Sequence, residues 1–146
     1  MELGVFLVNV KIIIGATMEE KHFWEWIELK ERLHFVGNYP PIKEGQIWWC
    51  AVGENIGAEI NGKNHTFSRP VLIMKKLSQY SFMGIPLTSQ PHEGSWYVHF
   101  KFKGKMQYAA LAQAKAFSVS RLYTKMGTAP NSDLQIVRDG FRKLYC

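Results

Sequence analysis

The chain has 146 residues, 47% hydrophobic and 14% aromatic, with 18 Lys and Arg against 12 Asp and Glu for a net charge of +6. This length supports one domain with a sizeable core and is too short for two ordinary ones, and the apolar content excludes a disordered chain. Its two cysteines, Cys50 and Cys146, have neither the density of a disulfide scaffold nor metal-ligand spacing, so a reducing, cytoplasmic setting is expected, while the positive charge favours an anionic partner.

The first 17 residues, MELGVFLVNVKIIIGAT, form an apolar run broken by Lys11, with no basic stretch before it and too little length to cross a bilayer. They read as an N-terminal extension, and no membrane segment is expected. Residues 18–43 read as a helix and linker. Thr17 and Glu20 match a capping box, and Phe23, Trp26, Ile27, Lys30 and Leu33 follow at helical spacing until Gly37, Pro40 and Pro41 end the pattern.

From residue 44 to 146 the texture becomes that of a small β domain. Five β-like runs follow, QIWWCAV, RPVLIMKKL, YSFMGIPLT, SWYVHFKF and MQYAALAQA, separated by turn-forming residues. The Gly- and Asn-rich GENIGAEINGKNHTFS makes a long connection between the first two, the kind of loop that often carries function. In SWYVHFKF the residues Trp96, Val98, Phe100 and Phe102 alternate with Tyr97, His99, Lys101 and Lys103. SVSRLYTKMG reads as a short helix or turn, and a final helix capped by Asn131 or Ser132 presents Leu134, Val137, Phe141 and Leu144 on one stripe. The expected class is therefore mainly β with flanking helices: an antiparallel, strongly curved sheet or small barrel.

One feature of this pattern points to chemistry. Arg69 stands immediately before Pro70 at the mouth of an apolar strand, so the proline, suited to the first position of a strand, holds the arginine in extended backbone. Taken alone, such an arginine reads as a member of a surface ion pair, and the hydroxyls of Thr88 and Ser89 read as strand and turn residues. Lys101, Lys103 and Lys105 can follow an RNA backbone or simply protect a strand edge.

Taken together, EGQIWW, GENIGAE, SRPVLIM, IPLTSQ and LAQAKAFSVSRLYTKMG, in that order, resemble the PemK/MazF toxins of type II toxin–antitoxin systems. The resemblance implies an SH3-like barrel of the PemK/MazF/CcdB kind, a homodimer, and an endoribonuclease that cuts single-stranded RNA without a metal or other cofactor, held in check by a cognate antitoxin. It assigns catalytic roles to Arg69, Thr88 and Glu59, and makes Ser89, Gln90, His65, Lys101, Lys103 and Gln113 the candidate RNA contacts. At positions where some relatives carry arginine, aspartate or histidine, this chain has Ala110, Ala112 and Ala58.

Cleavage through the ribose 2′-hydroxyl needs a base for that proton, charge stabilisation on the non-bridging oxygens and a proton for the leaving oxygen. A guanidinium suits the second task, because its planar fork can bond two phosphate oxygens. For the base there are two candidates: Glu59 by motif, and His65 because imidazole ordinarily titrates near pH ~6.5. A non-catalytic RNA- or protein-binding module of the same shape, or a toxin directed at gyrase, remains an alternative at this stage.

Overall fold

The computed structural model describes residues 21–146. The capping-box pair and the N-terminal extension lie outside them. Helix α1 (Phe23–Val36) leads into strands β1 (Gln46–Ala51), β2 (Ser68–Lys76), β3 (Ser81–Thr88), β4 (Tyr97–Phe102), β5 (Lys105–Ala110), β6 (Lys115–Ser118) and β7 (Leu122–Thr128), and helix α2 (Asn131–Tyr145) follows. Two single-turn 3₁₀ segments, Leu111–Gln113 and Val119–Arg121, separate the last three strands.

All seven strands pair antiparallel, in the order β4-β5-β3-β2-β1-β7, with β6 joining β3. The expected curved β architecture is present, but among the described residues β4 and β7 end the strand order without pairing to each other, so the sheet is barrel-like without closing. Strand β3 makes the bend. Its first half, Ser81 to Gly84, pairs with β6, whereas Leu87 and Thr88 pair with β5. Gly84 sits at the changeover, where a Cβ would lie 2.7 Å from a Val71 methyl and 2.8 Å from each of the Phe82 and Phe117 rings.

Alternation along β1 and β2 fills two cores, one on each face. Ile47, Leu72, Met74, Ile85 and Leu87 pack with Phe100, Phe102 and the Leu134 and Val137 stripe of α2. Trp48, Cys50, Val71 and Ile73 pack on the other side with Phe82, Phe117 and Val119. Burial on both faces explains why these strands read as nearly continuous apolar runs instead of clean alternations. The stripe predicted for the last helix is correct: Leu134 and Val137 are buried, and Phe141 and Leu144 pack against the same core. Its cap is not a polar side chain, however. Pro130 occupies the N-cap position, and Asn131 is already the first helical residue.

Two other expectations change. SVSRLYTKMG is not a helix or isolated turn but contributes to β6, a 3₁₀ turn and β7, with β7 following β1 through two register shifts. Those irregularities let a polar strand with little β-branching pair along an edge, which hides it from a periodicity reading. On α1 the buried stripe is Trp26 with the partly buried Leu29 and Leu33, while Ile27 is 49% exposed. The helix therefore docks on a face turned toward Leu29 and away from Ile27, relative to the stripe that its sequence predicts.

A salt-bridged anchor connects the linker before β1 to α2. Arg138 donates from Nη2 to Glu44 Oε2 and to the Met74 carbonyl, both at 2.9 Å, and Lys75 lies 3.4 Å from the same carboxylate.

Candidate functional site

Pro70 is the third residue of β2, not its first, and its register partner across β1 is Trp49. The β2–β3 ladder ends at Val71↔Pro86, where the missing N–H of each nearby proline stops regular pairing. Continuing that register by two residues sets Arg69 opposite Thr88. The arginine is thus delivered to the end of β3 by backbone geometry alone.

Its guanidinium is half-buried and held by two carbonyls. Nε donates to the Asn61 carbonyl at 2.8 Å, and Nη1 makes a long bond of 3.5 Å to the Leu87 carbonyl. No carboxylate forms an ion pair with it among the described residues. An arginine carries five N–H donors, so three remain for a ligand. Burial lowers its pKa from the ordinary value, yet an arginine keeps its charge at any physiological pH.

The loop between β1 and β2 supplies the Asn61 carbonyl and is closed by an internal network. The Asn55 side chain donates to the carbonyls of Val52 and Ile60, and the Asn55 N–H donates to Asn61 Oδ1 at 2.6 Å. Gly62 must be glycine, since a Cβ there would sit 1.7 Å from the Phe67 carbonyl oxygen. Lys63 and Ser68 exchange both backbone bonds, and the amides of Val52 and Gly53 share the Phe67 carbonyl. Phe67 adopts φ 46°, a strained conformation for an aromatic residue, and is retained because its ring is buried beside Trp26 with centroids 5.7 Å apart.

The remaining candidates fall into three groups. Thr88 is buried, and its Oγ1 accepts from the Gln90 N–H at 3.2 Å, so the hydroxyl shapes the turn that presents the exposed Ser89 and Gln90. Gln113 accepts from the Ile60 N–H at 3.3 Å and ties the loop to the segment after β5. Glu59 is exposed, and its Oε1 accepts from the Ile56 N–H at 3.0 Å, closing a turn of the loop. His65 is exposed on the same loop and lines a groove that also reaches Arg69.

The lysines lie elsewhere. Lys103 donates to the Met126 carbonyl near the end of β7, which pairs with the start of β1, whereas Arg69 pairs with Cys50 near the end of β1. Lys101 is exposed on the edge strand β4 and faces Met106 in register. The structure therefore brings together Arg69, Thr88, Asn61 and Gln113, with Glu59 and His65 on the surrounding loop, and leaves Lys101 and Lys103 at the hairpin away from them. Sequence reasoning missed Asn61 and the Leu87 carbonyl, because both act through backbone oxygens. Only the Asn61-Gly62 turn signal marks the former.

The groove beside Arg69 has a volume of about 1100 Å³ and is bounded by the loop on one side and by α1 on the other. Among the described residues, no group of three or more His, Cys, Asp or Glu converges to hold a metal ion, and no helix is long and apolar enough to cross a membrane.

Comparison with known proteins gives a consistent outcome. Residues 43–145 match the family described as PemK-like, MazF-like toxin of type II toxin-antitoxin system. Among solved structures, MazF from Deinococcus radiodurans superposes with a TM-score of 0.58 at 22% identity, covering 73% of this chain and 97% of that one. A mycobacterial endoribonuclease in complex with its cognate antitoxin gives a TM-score of 0.53 at 12% identity, covering 70% and 93% respectively. A MazE–MazF structure from Deinococcus radiodurans gives 0.53 at 19%, with 73% and 96% covered. No curated protein matches the chain.

Proposed function

Because the chain belongs to the PemK-like, MazF-like toxins of type II toxin–antitoxin systems, we propose that it is an endoribonuclease that cuts single-stranded RNA without a metal ion. The observation that carries this reading is the Arg69 guanidinium, half-buried, fixed by the Asn61 and Leu87 carbonyls and free of any carboxylate among the described residues. It is a cation mounted for an anion that the fold itself does not supply. Preorganised in this way, it needs no rearrangement as charge grows on the phosphate.

In the reaction the ribose 2′-oxygen attacks phosphorus as its proton leaves, the bond from phosphorus to the 5′-oxygen breaks, and that oxygen takes up a proton. The products are a 2′,3′-cyclic phosphate and a 5′-hydroxyl. Arg69 stabilises the non-bridging oxygens, and Ser89 and Gln90, exposed on the turn that Thr88 closes at the end of β3, contact the RNA. Of the two candidates for proton transfer, His65 lines the groove that reaches Arg69, and Glu59 lies on the same loop with its carboxylate accepting from the Ile56 N–H. The partners are single-stranded RNA, an antitoxin like that bound to the mycobacterial relative, and a second copy of the chain.

Incubation of the purified protein with mixed-sequence RNA in excess EDTA tests the proposal. Cyclic-phosphate ends are expected, and Arg69→Ala should cut roughly 10²–10³ more slowly while remaining folded by circular dichroism. Tightly bound but intact RNA would instead indicate a binding module. An Arg69→Ala protein with full activity would remove the arginine from the mechanism.

A further inference from the structure

Helix α1 and the linker after it precede the segment that matches the toxin family, and together with that segment they enclose a second, smaller pocket. Its volume is about 160 Å³, room for a tetrahedral oxyanion and a few waters. Lys30 and His34 of α1, Tyr39 of the linker, and Ser118, Ser120 and Arg121 around the Val119–Arg121 turn line it. The linker approaches that turn so closely that a Cβ on Gly37 would lie 2.6 Å from the Ser120 Cβ. Every polar side chain of this lining can donate a hydrogen bond, and no carboxylate belongs to it.

Arg121 is held in place from behind. Its Nη1 donates to the Ala51 carbonyl at 3.0 Å, and its guanidinium lies over the Trp26 ring at 5.7 Å, so one of five N–H donors is used. The hydroxyls of Ser118 and the buried Ser120 are 2.7 Å apart; one donates to the other, which leaves the second proton for a ligand. Among the described residues, neither Lys30 nor Arg121 has an ion-pair partner. Lys115, at the start of β6 and 5.1 Å from the Phe117 ring, adds a further cation. Burial first, then repulsion from Arg121 and more weakly from Lys30, lowers its pKa, while Cys50 and Glu59 act the other way. Glu59 is the weakest of these influences. The other acidic groups are turned elsewhere: Glu25, Glu28 and Glu54 line the groove on the opposite flank of α1, and Glu31 is exposed outside the pocket. Lys30 and His34 also offset the negative end of the α1 dipole, but Arg121 and Lys115 come from other elements and have no such task.

We propose that this pocket is a second phosphate-binding site, in which Arg121, Lys30 and the Ser118–Ser120 hydroxyl pair hold a backbone phosphate of the RNA strand other than the one at Arg69. Arg69 on β2 and Leu122 on β7 both pair with Cys50, so Arg121 stands about 10 Å, two strand spacings, from the first site. A contact of this kind positions the strand and adds affinity without reading its sequence. The N-terminal helix thereby extends the RNA path beyond the family's common segment.

The RNA source of the phosphate rests on the nuclease reading, so the test includes measurements that need no cleavage. A fluorescein-labelled 2′-O-methyl RNA dodecamer, which cannot be cut through its 2′-oxygens, is titrated by fluorescence anisotropy into the full chain and into the Lys30→Gln/Lys115→Gln protein, from about 50 to about 200 mM salt. Both lysines are exposed, so the variant keeps its fold. The Arg142→Gln/Lys143→Gln protein, which loses the same charge on α2, serves as the control. In parallel, the rise in Tm on adding inorganic phosphate, against chloride at equal ionic strength, is measured for all three. The expected result is a plot of log K against log salt that is shallower by about 0.7 in the pocket variant, with every RNA sequence weakened alike, and an unchanged slope in the control. An unchanged RNA slope with loss of the phosphate-induced rise in Tm reassigns the site to a free phosphate. Equal slope changes in both variants, or no change of either measurement in the pocket variant, overturns the proposal. A chain that neither binds the dodecamer nor cuts RNA sinks the nuclease reading, and the Tm measurement then decides the pocket alone.

Discussion

Replacing Trp26 by alanine removes the side chain that attaches α1 to the β domain. The indole is only 6% exposed and packs on Ala51 and Phe67, with Leu29, Leu33 and Tyr123 around it. A Cβ on Gly53 would lie 2.5 Å from the indole ring, so there is no slack through which the loop can collapse into the vacated space. Truncation of a large buried aromatic with incomplete relaxation costs about 3–5 kcal/mol. Arg121 would also lose its position over the ring, although its Nη1 keeps a 3.0 Å bond to the Ala51 carbonyl and so remains satisfied. Because α1 is a peripheral element, its local undocking limits the loss to the lower end, about 3 kcal/mol. For a chain of this size that corresponds to a fall of about 10 °C in Tm. Urea unfolding followed by far-ultraviolet circular dichroism and by tryptophan fluorescence measures the effect, and Trp26→Phe should recover part of it. A loss below about 1 kcal/mol, the range typical of surface substitutions, would refute the docked helix and with it the α1 wall of the groove.

Gly84→Ala should destabilise the protein by about 1–3 kcal/mol in the same urea assay, because the new methyl meets Val71, Phe82 and Phe117 within 2.8 Å and the overpacking outweighs alanine's smaller unfolded-state entropy. Burial pushes the Cys50 thiol from the ordinary 9.0 up to about 12. Between those values the unfolded chain releases a proton that the fold retains, so stability declines as pH rises, and Cys50→Ala should flatten the decline in urea midpoints measured from about pH 8 to about pH 10.5.

Much of the fold was legible because burial on two faces leaves strong traces. The apolar runs at residues 46–52, 69–77 and 80–88 correspond to β1, β2 and β3, and the α2 stripe gave its contacts with the core. The strands β6 and β7 left no such trace, since β6 is only four residues long and β7 is largely polar and follows β1 through register shifts, and their existence depends on edges offered by β3 and β1. Helix α1 was recognised as a helix, but its docked face was not, because Phe23, Trp24 and Ile27 are as apolar as the residues that it buries. At the site, Arg69 was visible through its proline, and Thr88 through the end of an apolar run. Their alignment was not visible, because it follows from the β2–β3 register, a pairing between segments that no local pattern encodes. Asn61 was hidden for a related reason: its carbonyl, present in every residue, is what binds the guanidinium.

Strand β3 has β2 along one side and is divided between β6 and β5 on the other. An insertion or deletion of one residue within it would slip three pairings at once and reverse the side to which Thr88 points. The neighbouring segment from Ser89 to Trp96 is exposed throughout, with no strand to hold it in step. That segment can therefore change length without disturbing the register that sets Arg69 opposite Thr88, whereas β3 itself tolerates no such change.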